Sequence, residues 1–358
     1  MKIAIIGLPK TGKTTIFNAV TGNEASTDKY APPPGEPNVG VVQVPDERVD
    51  RLSELYKPKK TVYVHIEYRD YPGIFSNHAE NPDNALFSDI KANEGFVLVL
   101  RAFHDEEIDE LYAAGEPLEQ LSAFEDEMIL NDLLVAEKRL EKIELGYKRG
   151  VKNAQLQFEE KILRHVCEEL QAGRALRNME MHPEEEKTLR GFRFFSQKPL
   201  LVLINCAERD YHSLDGLKQQ IREKGYDAEV IAGRFEEELG KLESDEAQLF
   251  MEDMGIKESI RDRFTRFCYQ MLGYISFFTV GEDEVRAWTV EEGDNAVTAA
   301  GKIHSDLARG FIRAECFQYG DLMEHGSEKV LREKGLFRLE GKDYIVKDGD
   351  IISIRFSV

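Results

Sequence analysis

The sequence predicts an α/β protein: a parallel sheet with helices on its faces, interrupted by a helical hairpin and followed by a smaller α+β unit. Three observations carry this. The first hundred residues alternate short apolar runs with helix signals. From Glu116 to about Met181 strand signals vanish and a heptad seam takes their place. Strand signals then return at Leu200 and dominate after Tyr274.

The elements follow in order. Lys2–Ile6 is a short run rich in β-branched residues that ends at Gly7, and Thr14–Thr21 reads as a helix start. Gly40–Val44 and Thr61–Tyr68 are strand-like; in the second, Val62, Val64, Ile66 and Tyr68 alternate with Tyr63, His65 and Glu67. Phe96–Leu100 is a wholly apolar run. Ile129, Leu133, Ala136, Leu140 and Ile143 then recur at heptad spacing, and Leu156, Leu163, Val166 and Leu170 continue a similar seam. The glycine-bracketed segment Gly146–Gly150 between them predicts a turn. An antiparallel coiled-coil hairpin fits this pattern, as do two amphipathic helices packed on the sheet domain. Leu200–Ile204 and Glu229–Ala232 resume the sheet, so the hairpin is an insertion. Helical stretches are expected at Glu236–Met254 and Ile260–Leu272. Beyond them strands are expected at Ile275–Thr279, Glu284–Thr289, Arg313–Cys316, Tyr344–Ile345 and Ile351–Phe356, with one helix near Ala296–Ala308. The expected division is a discontinuous domain over 1–110 and 199–273, a helical insertion over 111–198 and a C-terminal domain over 274–358.

Composition narrows the function. A chain of 358 residues exceeds one domain of roughly 100–200 residues, and 42% hydrophobic content is enough for buried cores. The longest apolar runs fall far short of the ~20 residues needed to span a bilayer, so no membrane association is expected. The apolar stretch before Gly7 is too short for a signal sequence, and the four scattered cysteines form no C-x-x-C pair, so a cytosolic location is expected. With 47 Lys+Arg against 67 Asp+Glu the net charge is −20, which argues against DNA and leaves only a local basic patch for RNA.

Three motifs carry chemistry. Gly7-Leu8-Pro9-Lys10-Thr11-Gly12-Lys13-Thr14 fits G-x-x-x-x-G-K-[ST], after a predicted strand and before a predicted helix. Its backbone amides are expected to cradle phosphates, with Gly7, Pro9, Lys10, Thr11, Gly12 and Thr15 lining the nucleotide. Lys13 is expected to reach the β- and γ-phosphates and the Thr14 hydroxyl to ligate Mg²⁺. Asp70-Tyr71-Pro72-Gly73 has the form D-x-x-G at a strand end: Asp70 is expected to hold Mg²⁺ and the Gly73 N–H to sense a γ-phosphate, the alternative being a plain turn. Asn205-Cys206-Ala207-Glu208 stands where P-loop GTPases carry N-K-x-D. With Glu208 in place of Asp the best guanine determinant is lost, though a helix cap after a strand would read the same way. Ala232-Gly233 after the next strand is expected to present backbone N–H groups to the base.

These motifs and the inserted hairpin resemble the Obg-like ATPase (YchF) subfamily of P-loop GTPases, over essentially the whole chain. The most specific stretches are Glu36-Pro37-Asn38-Val39-Gly40, Val285–Thr289, Gly301–Asp306, Arg309–Glu315 and Gly341–Tyr344. The resemblance implies a P-loop G domain, a coiled-coil insertion and a C-terminal TGS domain of β-grasp type. It also implies ATP binding with slow hydrolysis and the ribosome as partner, through the hairpin and the TGS domain. The alternatives are a nucleotide-dependent binding module with little hydrolysis, or a GTPase.

The chain departs from the family pattern in several places. Pro34 stands where switch I usually carries Thr, and Phe75–Pro82 replaces a Gly-rich segment. Arg69 precedes Asp70 where an apolar residue is usual. Lys10 replaces an Asn that, in related enzymes, helps hold potassium; its ammonium is expected to supply that charge, or else to sit in solvent. Among the histidines only His78 lies in a switch loop, and His304 is expected to have a packing or surface role. The dense basic cluster Lys138, Arg139, Lys142, Lys148, Arg149 and Lys152 lies on the hairpin, read either as a solvated face or as an rRNA or tRNA contact.

Overall fold

The computed structural model describes residues 1–25, 27, 36–72, 85–111, 115–242, 244–253, 255–256 and 258–357. The chain begins with β1 (Lys2–Ile6), α1 (Lys13–Thr21), β2 (Asn38–Gln43), α2 (Glu47–Tyr56), β3 (Lys60–Val62), β4 (His65–Asp70), α3 (Ala85–Lys91) and β5 (Gly95–Arg101). Four helices follow: α4 (Glu106–Leu111), α5 (Pro117–Lys148), α6 (Ala154–Gln171) and α7 (Pro183–Leu189). The sheet resumes with β6 (Leu200–Asn205), α8 (Asp215–Glu223), β7 (Asp227–Ile231), α9 (Gly233–Leu239), α10 (Ser244–Asp253) and α11 (Ile260–Met271). The last third holds β8 (Tyr274–Thr279), β9 (Glu284–Glu291), α12 (Ala296–Ile303), α13 (Ser305–Arg309), β10 (Phe311–Gln318), α14 (Tyr319–His325), α15 (Glu328–Glu333), β11 (Arg338–Glu340) and β12 (Asp350–Phe356).

Two compact units result: Met1–Gly40 with Glu67–Ile260, and Val41–Ile66 with Arg261–Val358. The expected boundaries differ in three respects: Val41–Ile66 and residues 261–273, expected in the first domain, fall in the second unit, and the insertion over 111–198 is part of the first. For Val41–Ile66 the reason is apolar burial: Val49 and Leu52 of α2 share a core with Phe278, Val285 and Leu322. The expected strand Thr61–Tyr68 is two strands in two sheets. β3 pairs in parallel with β9, whereas β4 pairs in parallel with β1. Two residues separate them, so the alternation keeps its phase across the break and hides it.

In the first unit the sheet order is β2-β4-β1-β5-β6-β7, with β4, β1, β5, β6 and β7 mutually parallel. β5 and β6 are buried at every residue, as strands covered on both faces must be. The hairpin forms as expected. Its seam residues Ile129, Ala136, Ile143, Leu163, Val166 and Leu170 are buried together, and Arg139 reaches Glu159 through two hydrogen bonds of 2.7 and 2.9 Å. α5 runs through Gly146 to Lys148, so the turn comes later than expected, before the Asn153 side chain caps α6. The base of α5 belongs to a different core. Leu121, Phe124 and Met128 pack with the sheet residues Leu98, Leu100 and Val202. The insertion is therefore built into the sheet domain rather than hinged on it.

In the second unit the order is β11-β10-β12-β8-β9-β3, with both faces covered, as an α+β domain of β-grasp type requires. Three local expectations are corrected. The expected helix Ala296–Ala308 is broken at His304, whose Nδ1 accepts the Asp306 N–H at 3.2 Å and caps α13. That gives His304 its structural role. Tyr344–Ile345 forms an isolated bridge to Asn295 instead of a strand. The stretch Glu236–Met254 is divided between α9 and α10. The four cysteines are buried and none is in a disulfide.

Asp132 of α5 is fully buried and accepts the backbone N–H groups of Phe195 and Ser196 at 2.9 and 2.7 Å. Burial pushes its carboxyl up to about 6, against those two bonds. Removing it strands two buried amides. Asp132→Ala is expected to cost about 2–4 kcal/mol of the first unit's stability, read from the midpoint of urea unfolding. A cost under about 0.5 kcal/mol would show that solvent reaches those amides.

Candidate nucleotide site

The site begins where β1 ends. β1 lies between β4 and β5, and the chain leaves it at Gly7 with φ of 147°. A Cβ at Gly7 would lie 2.6 Å from the Val99 carbonyl oxygen, so the loop closes on β5 only with glycine there. Gly12 has φ of 91° and caps α1; a Cβ there would lie 2.1 Å from Asn205 Nδ2. The first N–H groups of α1 (Lys13, Thr14 and Thr15) have no partner within their helix, which makes this loop an anion cradle. Thr11 is buried, its hydroxyl donating to the Leu8 carbonyl at 3.2 Å, and Pro9 is half-buried.

Lys13 is 6% exposed, and its ammonium donates to the carbonyls of Gly7 at 3.2 Å and Leu8 at 2.7 Å. Burial lowers its pKa to about 8; Asp70 opposes that shift and Lys10 adds to it. Lys10 is half-buried, with φ of 60°, a backbone conformation that side chains other than Asn or Asp seldom take. Two ammonium groups thus repel each other on one loop, an arrangement that a polyphosphate relieves.

Asp70 closes β4, and the register sets it opposite Ile5 of β1. Its Oδ2 accepts from Thr14 Oγ1 at 2.8 Å and from Asn38 Nδ2 at 3.0 Å. Its Oδ1 is buried with no hydrogen-bond partner among the described residues. Burial pushes the carboxyl up, and Asn38, Thr14 and Lys13 pull it back. An orphaned carboxylate oxygen beside a hydroxyl whose lone pairs remain available fits Mg²⁺, a hard cation that takes few protein ligands and keeps waters. Thr14 and Asp70 are thus brought together as the sequence predicts. Asn38 was missed: it lies in the distinctive stretch Glu36–Gly40, but no spacing rule assigns an amide to a carboxylate 32 positions away.

Asn205 ends β6. Its Nδ2 donates to the Thr11 carbonyl at 2.9 Å and its Oδ1 accepts the Gly233 N–H at 3.1 Å. In this structure Asn205 braces two loops, which uses one of its two amide N–H groups and leaves the second for the expected base contact. The Gly233 N–H, expected to meet the base, is taken by this brace, and Ala232 is buried beneath it. Cys206 is also buried, its thiol donating to the Ile231 carbonyl at 3.4 Å. Glu208 stands exposed at the start of a short helical turn after β6, reachable by a ligand.

Arg69, noted as a departure, is ion-paired with Glu67 at 2.7 Å and Asp89 at 3.0 Å. The same Asp89 accepts from the buried Tyr71 hydroxyl at 2.6 Å, so Arg69 and Tyr71 clamp the end of β4 to α3. Gly73, Pro34, His78 and the segment Phe75–Pro82 lie outside the described residues.

A family model described as "50S ribosome-binding GTPase" matches residues 2–134, and the C-terminal model of YchF GTPases, described as a "protein of unknown function", matches residues 274–357. The chain is 38% identical to "Ribosome-binding ATPase YchF" of Bacillus subtilis, over 99% of this chain and 98% of the relative. It is 34% identical to "Obg-like ATPase 1" of Oryza sativa, over 100% and 92%. Among solved structures, the Schizosaccharomyces pombe YchF GTPase superposes with a TM-score of 0.83 at 30% identity, covering 99% of this chain and 97% of that one. With such identity running through both units, this chain belongs to the Obg-like ATPase (YchF) family of P-loop GTPases.

Proposed function

We propose that the chain binds ATP with Mg²⁺, hydrolyses it slowly, and acts on the ribosome. The single observation that carries the nucleotide reading is the Thr14–Asp70 pair, with the free Asp70 Oδ1 beside the P-loop. Its relatives' names support the ribosome as partner and ATP as substrate. When bound, Mg²⁺ would neutralise charge on the β- and γ-phosphates. The Lys13 ammonium would turn from the Gly7 and Leu8 carbonyls to the same phosphates, while amides at the start of α1 hold them in line. Gly73 is proposed to sense the γ-phosphate. A binding module with little hydrolysis is the second reading, favoured by Pro34 in place of a switch I hydroxyl.

Base preference follows from Glu208 and Cys206. The longer Glu208 side chain displaces the carboxylate from the position where Asp would accept two guanine donors. ATP is expected to bind about tenfold tighter than GTP by calorimetry. Glu208→Asp is expected to narrow that gap, whereas equal affinities in the parent would leave GTP as the substrate.

Lys10 is proposed to stand in for a monovalent cation beside the β- and γ-phosphates, its charge already felt by Lys13. Hydrolysis is then expected to run equally in potassium and sodium. Lys10→Ala is expected to slow it about tenfold or more in both salts, and Lys10→Asn to restore a preference for potassium. Strong potassium activation of the parent would remove this role.

The hairpin tip is proposed to touch RNA. Lys148 and Arg149 are exposed, and Lys152 lies 5.4 Å above the Tyr147 ring. Replacing all three by Ala is expected to weaken ribosome binding and to flatten its salt dependence by about 0.7–0.9 log unit per lost phosphate contact. ATP affinity should hold. An unchanged salt slope would return the cluster to a solvated face.

A further inference from the structure

We propose that Asn38 is a positioning residue for the metal: its side-chain amide fixes the Asp70 carboxylate so that Oδ1 is presented to the coordination shell of Mg²⁺. The inference rests on the nucleotide reading above. Two donors, Thr14 Oγ1 and Asn38 Nδ2, converge on Oδ2 at 2.8 and 3.0 Å, while Oδ1 is buried without a partner among the described residues.

The division of labour follows from chemistry. A carboxylate torsion is broad and two-fold, so one donor leaves the two oxygens free to exchange places. Thr14 is a poor sole anchor because its oxygen must also serve the metal. Asn38 offers an amide N–H, a donor without a competing metal duty in this arrangement. A second donor on the same oxygen therefore selects one rotamer and leaves the other oxygen to the cation's waters. Leaving Oδ1 unpaired in a buried site is costly, and an arriving cation relieves that cost.

Placement adds a consequence. Asn38 is the first residue of β2, where the chain returns from the segment that carries Pro34. Proline brings no hydroxyl and no N–H to a metal site. Asn38 is thus the described side chain by which this stretch of chain reaches the carboxylate. Metal occupancy and the anchoring of β2 become one equilibrium, so whatever strengthens the metal site also holds the start of β2.

The test is the affinity of a fluorescent ATP analogue, titrated with Mg²⁺ and repeated in EDTA. The full-length parent is compared with Asn38→Leu, Asn38→Ala, Asp70→Asn and the double variant Asn38→Leu/Asp70→Asn. Asn38→Leu keeps the branched shape, with somewhat more bulk, and removes the donor; Asn38→Ala guards against a packing artefact. Both are expected to raise the Mg²⁺ concentration for half-maximal tightening about tenfold, the effect of losing one hydrogen bond to a charged group. Affinity in EDTA is expected to stay within about twofold of the parent, which a folding defect would not allow. The double variant is expected to be no worse than Asp70→Asn alone, since Asn38 acts through that carboxylate. Unchanged Mg²⁺ dependence in both single variants, or additive losses in the double, would overturn the proposal. If the parent itself shows no Mg²⁺ dependence, the metal reading of Thr14 and Asp70 falls, and this proposal with it.

Discussion

The site depends on one buried carboxamide. Asn205 spends both ends of its amide on backbone, one on the P-loop at Thr11 and one on the loop entering α9 at Gly233. Each bond is worth about 1 kcal/mol net, but an unmade one in this buried setting costs about 1–3 kcal/mol. The brace therefore works less by adding stability than by penalising any geometry that breaks it. It also explains the second glycine of the P-loop. Gly12 is needed because Asn205 Nδ2 occupies the space of its Cβ, before any phosphate is considered. Phosphate-binding shape is thus a property of the fold.

Against this fixed frame stands an unresolved charge balance. Lys13 is buried and held by carbonyls, Lys10 lies near enough to depress its pKa, and Asp70 is buried with one oxygen unanswered. A buried ammonium held by carbonyls and a buried carboxylate with one oxygen unbonded are costly when dry, even though each feels the other's charge. The same groups become mutually satisfied when a triphosphate and Mg²⁺ enter together. Binding energy is stored here as prepaid desolvation, and the frame built around Asn205 keeps the loop from collapsing to relieve it.

Much of this was legible in the sequence, and the failures have definite causes. The P-loop, the seams of the hairpin and the apolar strands β5 and β6 were readable because each is a local pattern with a local cause. The break between β3 and β4 was not, because Tyr63 and Val64 preserve the alternation while the chain changes sheets. α2 escaped notice although Asp46 caps it and Val49 and Leu52 mark its buried face, since ten residues give a short period to detect. Thr14 and Asp70 could be paired because their motifs are known to meet. Asn38 lacked such a rule, and only the register of the folded strands brings it to Asp70. Asn205 was found by position, but its bracing role was not legible, because its partners here are backbone atoms that no side-chain pattern encodes.

A chain of contacts then ties the nucleotide loop to the hairpin. Gly7 closes against the carbonyl of Val99 in β5. Two residues on, Arg101 ends that strand, and its N–H and carbonyl are both held by the side chain of Gln120, at 2.9 and 2.8 Å. Gln120 lies in the first turn of α5, whose next turns share the sheet's core before the helix passes into the core of the hairpin. A helix of 32 residues at ~1.5 Å per residue is roughly 48 Å long. Glu125 to Arg177 at 2.8 Å and Asp132 to the amides of Phe195 and Ser196 fasten the helix further along. The helix is held at the strand that buttresses the P-loop, so the phosphate loop and the base of the hairpin rest on one strand.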